Sequence, residues 1–269
     1  MIRLKTIFLS LAALGISGVP LSVRAQTSDF EREQEKAYTT CMALTATDAD
    51  AAFDMAASWA NTGGGLPALH CSAIALFKLE KYSEAGEAFE AMIAKAPADN
   101  PELLANIYGQ GGNAWLLGNY ALRAYDLFTA GLKLLPAASA ERAELLIDRA
   151  RALAAADDDK GALADLEAAE AVLPDRADLL ALKASSHRRL RQFEAAKADL
   201  ARALALVPDQ PEALLERGNL RITLGDETGA RADWVRFLSL YPGAAEADAV
   251  RRNLERLDLR LEDPAPGKD

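Results

Sequence analysis

Three prolines, Pro174, Pro208 and Pro242, lie 34 residues apart and close three similar segments of the chain. A small residue and a large apolar residue precede each proline at the same two offsets. These pairs are Ala162 and Leu166, Ala196 and Leu200, and Ala230 and Trp234. Repeats of this length are typical of solenoids in which helical hairpins stack side by side. We therefore expect an elongated helical array, a structure suited to binding other molecules rather than to catalysis.

The composition favours an all-helical chain and argues against two classes of partner. Of the 269 residues, 51% are hydrophobic but only 6% are aromatic, and alanine, the strongest helix former, is abundant. There are 30 basic and 40 acidic residues, which gives a net charge of −10. Because phosphate groups repel an acidic protein, we expect neither nucleic acid nor an anionic membrane surface as the main partner.

Residues 1–25 have the features of a secretory signal peptide. A short basic end precedes an uncharged, mainly apolar run at residues 6–19, and a small-x-small pattern ends at Ala25. The run is too short to span a bilayer comfortably, and a membrane anchor is the alternative. We expect cleavage between Ala25 and Gln26, export, and no membrane insertion afterwards.

Cys41 and Cys71 are the only two cysteines of the chain. Export would place them in an oxidising compartment, where they can pair. In a stack of hairpins they would lie on neighbouring first helices, so a disulfide would join the first hairpin to the rest of the array. Two separate buried thiols are the alternative.

Turn residues, helix stops and prolines divide the remaining chain into hairpins. Residues 26–65 are predicted to form a degenerate first hairpin, whose second helix is capped by Thr47 or Asp48. A helix over residues 244–261 caps the other end, and residues 262–269 are expected to form a disordered tail. Between them lie five units, at 66–99, 101–138, 143–176, 177–210 and 211–243. The 101–138 unit is less regular, with one extra residue between Tyr120 and Ala124.

Two units carry the fullest pattern. One contains Leu180, Ala184, Phe193, Ala196, Leu200, Ala203 and Pro208, and the other contains Leu69, Ala73, Tyr82, Ala85, Phe89 and Pro97. This order resembles the tetratricopeptide repeat (TPR) family, and the match covers about residues 66–243. With its signal peptide and cysteine pair, the chain is similar to exported TPR proteins of Gram-negative bacteria. The resemblance implies an all-α, right-handed superhelical solenoid of antiparallel helix hairpins with a C-terminal capping helix, located in the periplasm.

The sequence offers no persuasive catalytic, metal or cofactor site. His70 precedes Cys71, but neighbouring residues on a helix point about 100° apart, and a disulfide would remove the nucleophilic thiol. His187 is too far from the other histidine to suggest a metal pair, so we expect it to be packed or at the surface. The three aspartates at residues 157–159 lack the spacing, glycine and distal glutamate of a calcium loop and are interpreted as a solvated turn.

The resemblance implies that ligands lie in a concave groove lined by the first helix of each hairpin. The groove positions hold Tyr108, Trp115, Glu144, Asp148, Arg151, Asp178, Ser185, Arg188, Glu216 and Asn219. Such mixed polar groups suit an extended peptide or a partner helix, although ordinary solvated helix positions would look the same. The lysine and asparagine pattern with which some family members hold a terminal carboxylate is missing.

We therefore predict a non-catalytic interaction module that needs no cofactor and binds a protein or peptide partner in its groove. A monomer is favoured. The alternative is a structural protein that self-associates through an end helix or a hairpin face. A large apolar patch on an end helix would favour that alternative.

Overall fold

The computed structural model describes residues 21–262, with side chains described from residue 29 to residue 258. Within this range every regular element is a helix, in the order α1 (Leu21–Thr47), α2 (Ala49–Asn61), α3 (Gly65–Lys78), α4 (Tyr82–Ile93), α5 (Pro101–Leu117), α6 (Ala121–Leu132), α7 (Ala140–Ala155), α8 (Asp159–Glu170), α9 (Ala177–Arg189), α10 (Phe193–Leu206), α11 (Pro211–Thr223), α12 (Glu227–Leu240) and α13 (Ala247–Glu262). None of these helices is long and apolar enough to cross a membrane. Most of the predicted signal peptide, residues 1–20, and the predicted tail beyond residue 262 lie outside the described range.

Consecutive helices form hairpins, and each helix packs against the helix before it and the helix after it. The odd-numbered helices from α1 to α11 are the first helices of the hairpins. Most neighbouring first helices also contact each other directly, as do α1 and α3 at one end and α9 and α11 at the other. The predicted all-α superhelical solenoid of helix hairpins is confirmed.

One packing pair recurs in all five hairpins from α3 to α12. A small residue of the first helix is followed 16 residues later by a large apolar residue of the second helix, and both are buried. The pairs are Ala73 and Phe89, Gly112 and Phe128, Ala150 and Leu166, Ala184 and Leu200, and Gly218 and Trp234. The small residue lets the two helices approach closely, so this pair sets the register of every hairpin.

The turn inside each of these hairpins needs one residue with a left-handed backbone. That residue is always seven positions after the small packing residue, and in chain order the set is Glu80, Asn119, Asp157, Arg191 and Gly225. Their φ angles lie between 59° and 83°. Only Gly225 adopts this conformation without steric cost, and asparagine tolerates it better than most residues. The common position shows that all five turns are built in the same way.

The third hairpin, formed by α5 and α6, departs from the repeat pattern at a different place from the one predicted. There is no insertion between Tyr120 and Ala124, because α6 begins at Ala121, the place that Tyr82 and Phe193 hold in their hairpins. The extra residues instead lengthen the starts of two first helices. Helices α5 and α7 have 17 and 16 residues, whereas α9 and α11 each have 13.

Both ends of the array are closed by specific contacts. At the start, Cys41 of α1 and Cys71 of α3 form the predicted disulfide, and both cysteines are fully buried beside Ala52, Ala56 and Ala75. At the other end, α13 buries Val250 and Leu257 against the last hairpin. Several arginines of α13 stay exposed, so this helix has the polar outer face that a terminal unit requires.

Candidate functional site

Side-chain hydrogen bonds connect every neighbouring pair of first helices from α1 to α11. The bonded pairs are Tyr38 with His70, His70 with Gln110, Asn113 with Asp148, Glu144 with Arg176, and Arg188 with Glu216. We call the side chains of these five pairs the inner polar row. The row runs along the first helices, which are the helices predicted to line the concave groove.

The first part of the row is a directional chain centred on the buried side chain of His70. Its Nδ1 lies 2.8 Å from the Tyr38 hydroxyl, and its Nε2 lies 2.8 Å from Gln110 Oε1. Gln110 in turn donates its amide hydrogen to Asn106 at 2.8 Å. A neutral imidazole fits this arrangement, accepting from Tyr38 and donating to Gln110. Burial lowers the pKa of His70, and the hydrogen bond to Gln110 opposes that shift in part.

Asp148 is the centre of the row in the middle of the array. It accepts a hydrogen bond from Asn113 at 3.0 Å and forms an ion pair with Arg151 at 2.6 Å. Burial raises the pKa of the Asp148 carboxyl, and the charge of Arg151 and the two hydrogen bonds oppose that rise. The carboxylate is held by neighbours on α5 and on α7, so its orientation is fixed before any ligand arrives.

The next two pairs continue the row across α7, α9 and α11. Arg176, the residue that precedes α9, donates to Glu144 at 2.6 Å and to Asp178 at 2.8 Å. Arg188 near the end of α9 forms an ion pair with Glu216 of α11. These guanidinium groups alternate with carboxylates, so the row presents donors and acceptors in turn.

The predicted groove residues divide into two groups in the structure. Asp148, Arg151, Arg188, Glu216 and Asn219 belong to the inner polar row or hydrogen-bond to it, as do Glu144 and Asp178. Ser185 is half-buried on α9.

The two aromatic residues predicted to line the groove lie elsewhere. Trp115 is only 1% exposed, and its indole N–H donates to Glu90 of α4 at 2.8 Å. Tyr108 is half-buried, with its Cβ beside Gly131 of α6. The prediction is wrong for Trp115, which is a core residue, and it stays a prediction for Tyr108, whose Cβ lies beside α6. Their sizes suggested binding residues, but both helix positions face the second helices.

The sequence interpretation missed His70, Asn106, Gln110 and Asn113 as members of this surface. A signal for three of them was present. Alignment of Gly112 with the small packing residue of the next hairpin, Ala150, places Asn106, Gln110 and Asn113 at the positions of Glu144, Asp148 and Arg151. The misplaced insertion concealed this correspondence.

A second repeated set of polar residues lies between the helices of single hairpins. A basic residue of the first helix pairs with a buried aspartate of the second, and both recur every 34 residues. The pairs are Arg149 with Asp165 at 2.7 Å, Lys183 with Asp199 at 3.6 Å, and Arg217 with Asp233 at 2.6 Å. In each pair the aspartate is buried, and the pair joins the two helices of one hairpin.

In the described part of the chain, no cluster of three or more His, Cys, Asp or Glu side chains is arranged to hold a metal ion. The three aspartates at the α7–α8 turn have structural partners. Asp158 caps α8, and Asp157 and Asp159 form ion pairs with Arg189.

No protein-family model and no curated protein sequence matches the chain, but solved structures match its fold. A chain of the APC/C hetero-tetramer Cut9–Hcn1 has a TM-score of 0.62 at 14% identity, with 88% of this chain covered. The match covers only 46% of the Cut9–Hcn1 chain. PilF of Pseudomonas aeruginosa has a TM-score of 0.59 at 13% identity, with 82% of this chain and 99% of PilF covered. TTC0263, a thermophilic TPR protein of Thermus thermophilus, has a TM-score of 0.55 at 22% identity, with 70% and 95% covered. The chain has a TPR-type fold, and these identities establish the fold alone.

Proposed function

We propose that this protein is a non-catalytic scaffold that binds a protein partner along the concave surface of its first helices. The inner polar row is the observation that carries this proposal. Each of its side chains is held by a side chain of a neighbouring first helix or of the residue that precedes it. Little conformational freedom therefore remains to be lost when a partner binds. A row of alternating donors and acceptors can pair with the backbone or the polar side chains of an extended peptide or a helix.

The fold and the Cut9–Hcn1 assembly support a protein as the partner. A chain of the Cut9–Hcn1 hetero-tetramer shares this fold, so a protein of this fold takes part in that protein assembly. The described first helices carry a long row of fixed polar groups, and the chain as a whole has a net charge of −10. Such a surface favours a partner with exposed hydrogen-bonding groups over nucleic acid.

A groove variant tests the proposal. Asp148→Asn, Arg151→Gln and Arg188→Gln together remove three charges from the row while keeping side-chain sizes similar. We expect the wild-type chain to capture a specific partner from an envelope extract and the triple variant to lose it. Circular dichroism should show the same helix content for both proteins.

A control variant changes the same number and kind of charges on the second helices. Lys160→Gln, Glu167→Gln and Lys197→Gln alter exposed positions of α8 and α10. This control should keep the partner. Retention of the partner by the groove variant, or its loss from the control, would show that the concave surface is not the binding site.

Self-association through the end helix is a less favoured role, because α13 already buries Val250 and Leu257. Light scattering at high concentration should therefore give the mass of a monomer, and a concentration-dependent dimer would favour the structural alternative.

We also propose that the protein is exported to the periplasm, on the basis of the signal-like residues 1–25. A disulfide between Cys41 and Cys71 supports this location, because disulfides persist in oxidising compartments. Cell fractionation and sequencing of the mature amino terminus test the proposal. Gln26 as the first residue of a periplasmic product is expected, and an uncleaved cytosolic or membrane-bound product would overturn it.

A further inference from the structure

Three apolar side chains are exposed at the turn between α5 and α6. Leu122 is 73% exposed, Tyr120 is 49% exposed and Leu117 is 42% exposed. The Tyr120 ring packs edge-on against the buried Trp115, with the two ring centres 5.2 Å apart. We call Leu117, Tyr120 and Leu122 the turn patch. Single exposed apolar residues are ordinary on a protein surface, but a cluster of them marks a candidate interaction site.

The other hairpins from α3 to α12 show that the fold does not require apolar residues at these places. Equivalent positions are counted from the small packing residue of each hairpin, and Ala155 is the only apolar residue among them. The equivalents of Leu117 are Lys78, Ala155, Arg189 and Thr223. The equivalents of Tyr120 are Lys81, Asp158, Gln192 and Asp226. The equivalents of Leu122 are Ser83, Lys160, Glu194 and Thr228.

Tyr120 also replaces a residue that caps the second helix in two other hairpins. Asp158 and Asp226 hold the same position, and each accepts a hydrogen bond at 2.9 Å from a backbone N–H of the helix that follows. Tyr120 makes no such bond at the start of α6. A missing cap and exposed apolar surface both lower stability, and Leu122 buries too little of its surface to offset them. Stability of the hairpin therefore does not account for the turn patch.

The turn patch meets helix α4 at the Trp115 side chain. A Cβ built on Gly86 of α4 would lie 2.6 Å from the indole ring, and Glu90 of α4 accepts the indole N–H at 2.8 Å. Tyr120 contacts the same ring. The middle of α4 therefore borders the turn patch.

The charge beside the turn patch is negative. Helix α4 carries Glu84, Glu87 and Glu90 at three-residue intervals and no Lys or Arg, and Glu84 and Glu87 are exposed. Over residues 78–93, four glutamates outnumber two lysines. The Arg123 guanidinium lies 3.9 Å from the centre of the Trp115 ring and 3.8 Å from Glu90, which offsets its charge. An apolar surface with an acidic border suits a partner with the opposite charge.

We propose that the turn patch is a second binding surface, which takes an amphipathic helix with basic residues beside its apolar face. Apolar side chains of that helix pack on the turn patch, and its Lys or Arg side chains lie over Glu84 and Glu87. A second copy of this chain is a poorer occupant, because each copy has a net charge of −10. The turn patch shares no residue with the inner polar row, so the scaffold holds this second polypeptide independently of the groove ligand.

A synthetic amphipathic helix tests the surface without the natural partner. The probe is a labelled peptide of leucine and lysine in which the leucines recur at helical spacing. Its matched control has glutamate in place of every lysine. Fluorescence anisotropy with the full chain should show saturable binding of the lysine peptide and no binding of the glutamate peptide at the same concentrations. Added salt should weaken the binding, because the glutamates of α4 are exposed.

Two apolar variants make the test specific to the turn patch. Leu117→Thr with Leu122→Thr introduces the residues that Thr223 and Thr228 provide at the same positions of the last hairpin. This variant should weaken binding of the lysine peptide by about tenfold or more. Val235→Thr with Leu240→Thr changes two other exposed apolar residues and should change binding less than about twofold. The urea midpoint should fall no further in the first variant than in the second.

Two charge variants test the acidic border in the same way. Glu84→Gln with Glu87→Gln should weaken binding of the lysine peptide by about threefold or more and reduce its salt dependence. Glu141→Gln with Glu167→Gln removes the same charge from exposed positions of α7 and α8 and should leave both unchanged.

Several results would each overturn the proposal. Equal binding of the glutamate peptide, or equal weakening by a variant and its control, would show that the turn patch does not select a basic helix. A dimer that the Leu117 and Leu122 variant abolishes would identify a second copy as the occupant. Binding to phosphatidylcholine vesicles that the same variant abolishes would identify a lipid surface instead. The groove variant should bind the lysine peptide as the wild type does, so failure of either proposal leaves the other intact.

Discussion

The close pair Gly218 and Trp234 gives the sharpest test of how the hairpins pack. A Cβ built on Gly218 would lie 2.6 Å from Trp234 Cδ1, much closer than side-chain atoms approach each other. Two other hairpins hold alanine and leucine at the same positions, as in Ala150 and Leu166. We therefore expect Gly218→Ala to cost less stability when the tryptophan is also replaced by leucine than when the tryptophan is present.

The expected magnitudes follow from three effects. Replacement of a helical glycine by alanine stabilises by about 1 kcal/mol, whereas overpacking against the indole costs about 1 to 3 kcal/mol. Gly218→Ala should therefore destabilise by about 1 kcal/mol. Trp234→Leu alone should cost about 2 kcal/mol, because it leaves a partly filled space. In the double variant the leucine makes room for the new methyl group, so the total should fall short of the sum by about 1 kcal/mol or more.

Urea unfolding followed by far-UV circular dichroism measures these differences for the wild type, both single variants and the double variant. Gly112→Ala with Phe128→Leu provides an independent copy of the same cycle in another hairpin, where the built Cβ would lie 2.5 Å from the Phe128 ring. Additive effects within about 0.5 kcal/mol in both cycles would refute the packing rule.

Three further predictions concern the end unit, the inner polar row and the hairpin ion pairs. Replacing Cys41 and Cys71 by alanine should destabilise the first hairpin by about 3 to 4 kcal/mol, since the disulfide spans 30 residues. Amide hydrogen exchange in α1 and α2 should become faster, and unchanged exchange would contradict this prediction. Burial lowers the pKa of His70 in the folded protein, so the free energy of unfolding should fall as the pH drops below about 6.5, by at most about 1.4 kcal/mol per pH unit. Urea midpoints measured from pH 7.5 to 5.5 should change less in His70→Gln than in the wild type. An equal change in both proteins would refute the attribution of this pH dependence to His70. Asp165→Ala should cost about 3 kcal/mol because Arg149 loses its ion-pair partner. Replacing both residues by apolar ones should recover most of that loss in urea unfolding. No recovery would show that the cost does not come from leaving Arg149 without its partner.

The solenoid fold could be predicted because its signals are local and recur. Prolines, small packing residues and apolar partners repeat at fixed offsets. A departure in one unit, such as Asp159 at the place that Tyr82 and Phe193 hold in theirs, therefore does not hide the pattern of the others. The cysteine pair was also predictable, because neighbouring first helices must lie side by side in any hairpin stack. The ion pair of Arg149 with Asp165 was visible in the same 34-residue spacing but was not recognised.

The candidate site was predictable only where the repeats are regular. In the three C-terminal units most of the predicted groove residues belong to the inner polar row or hydrogen-bond to it. The longer start of α5 hid the role of Asn113 and drew attention to Trp115. The bonds of the inner polar row join positions that are not equivalent in successive units, such as Arg188 and Glu216. They depend on the rotation between hairpins, which no local pattern encodes.

Hydrogen–deuterium exchange of the chain with its captured partner tests the central claim most directly. If the inner polar row forms the binding surface, slower exchange should appear in peptides from α5, α7, α9 and α11. Peptides from the second helices α6, α8, α10 and α12 should exchange as in the free protein. Protection concentrated on the second helices, with α7 and α9 unchanged, would contradict binding at the concave surface.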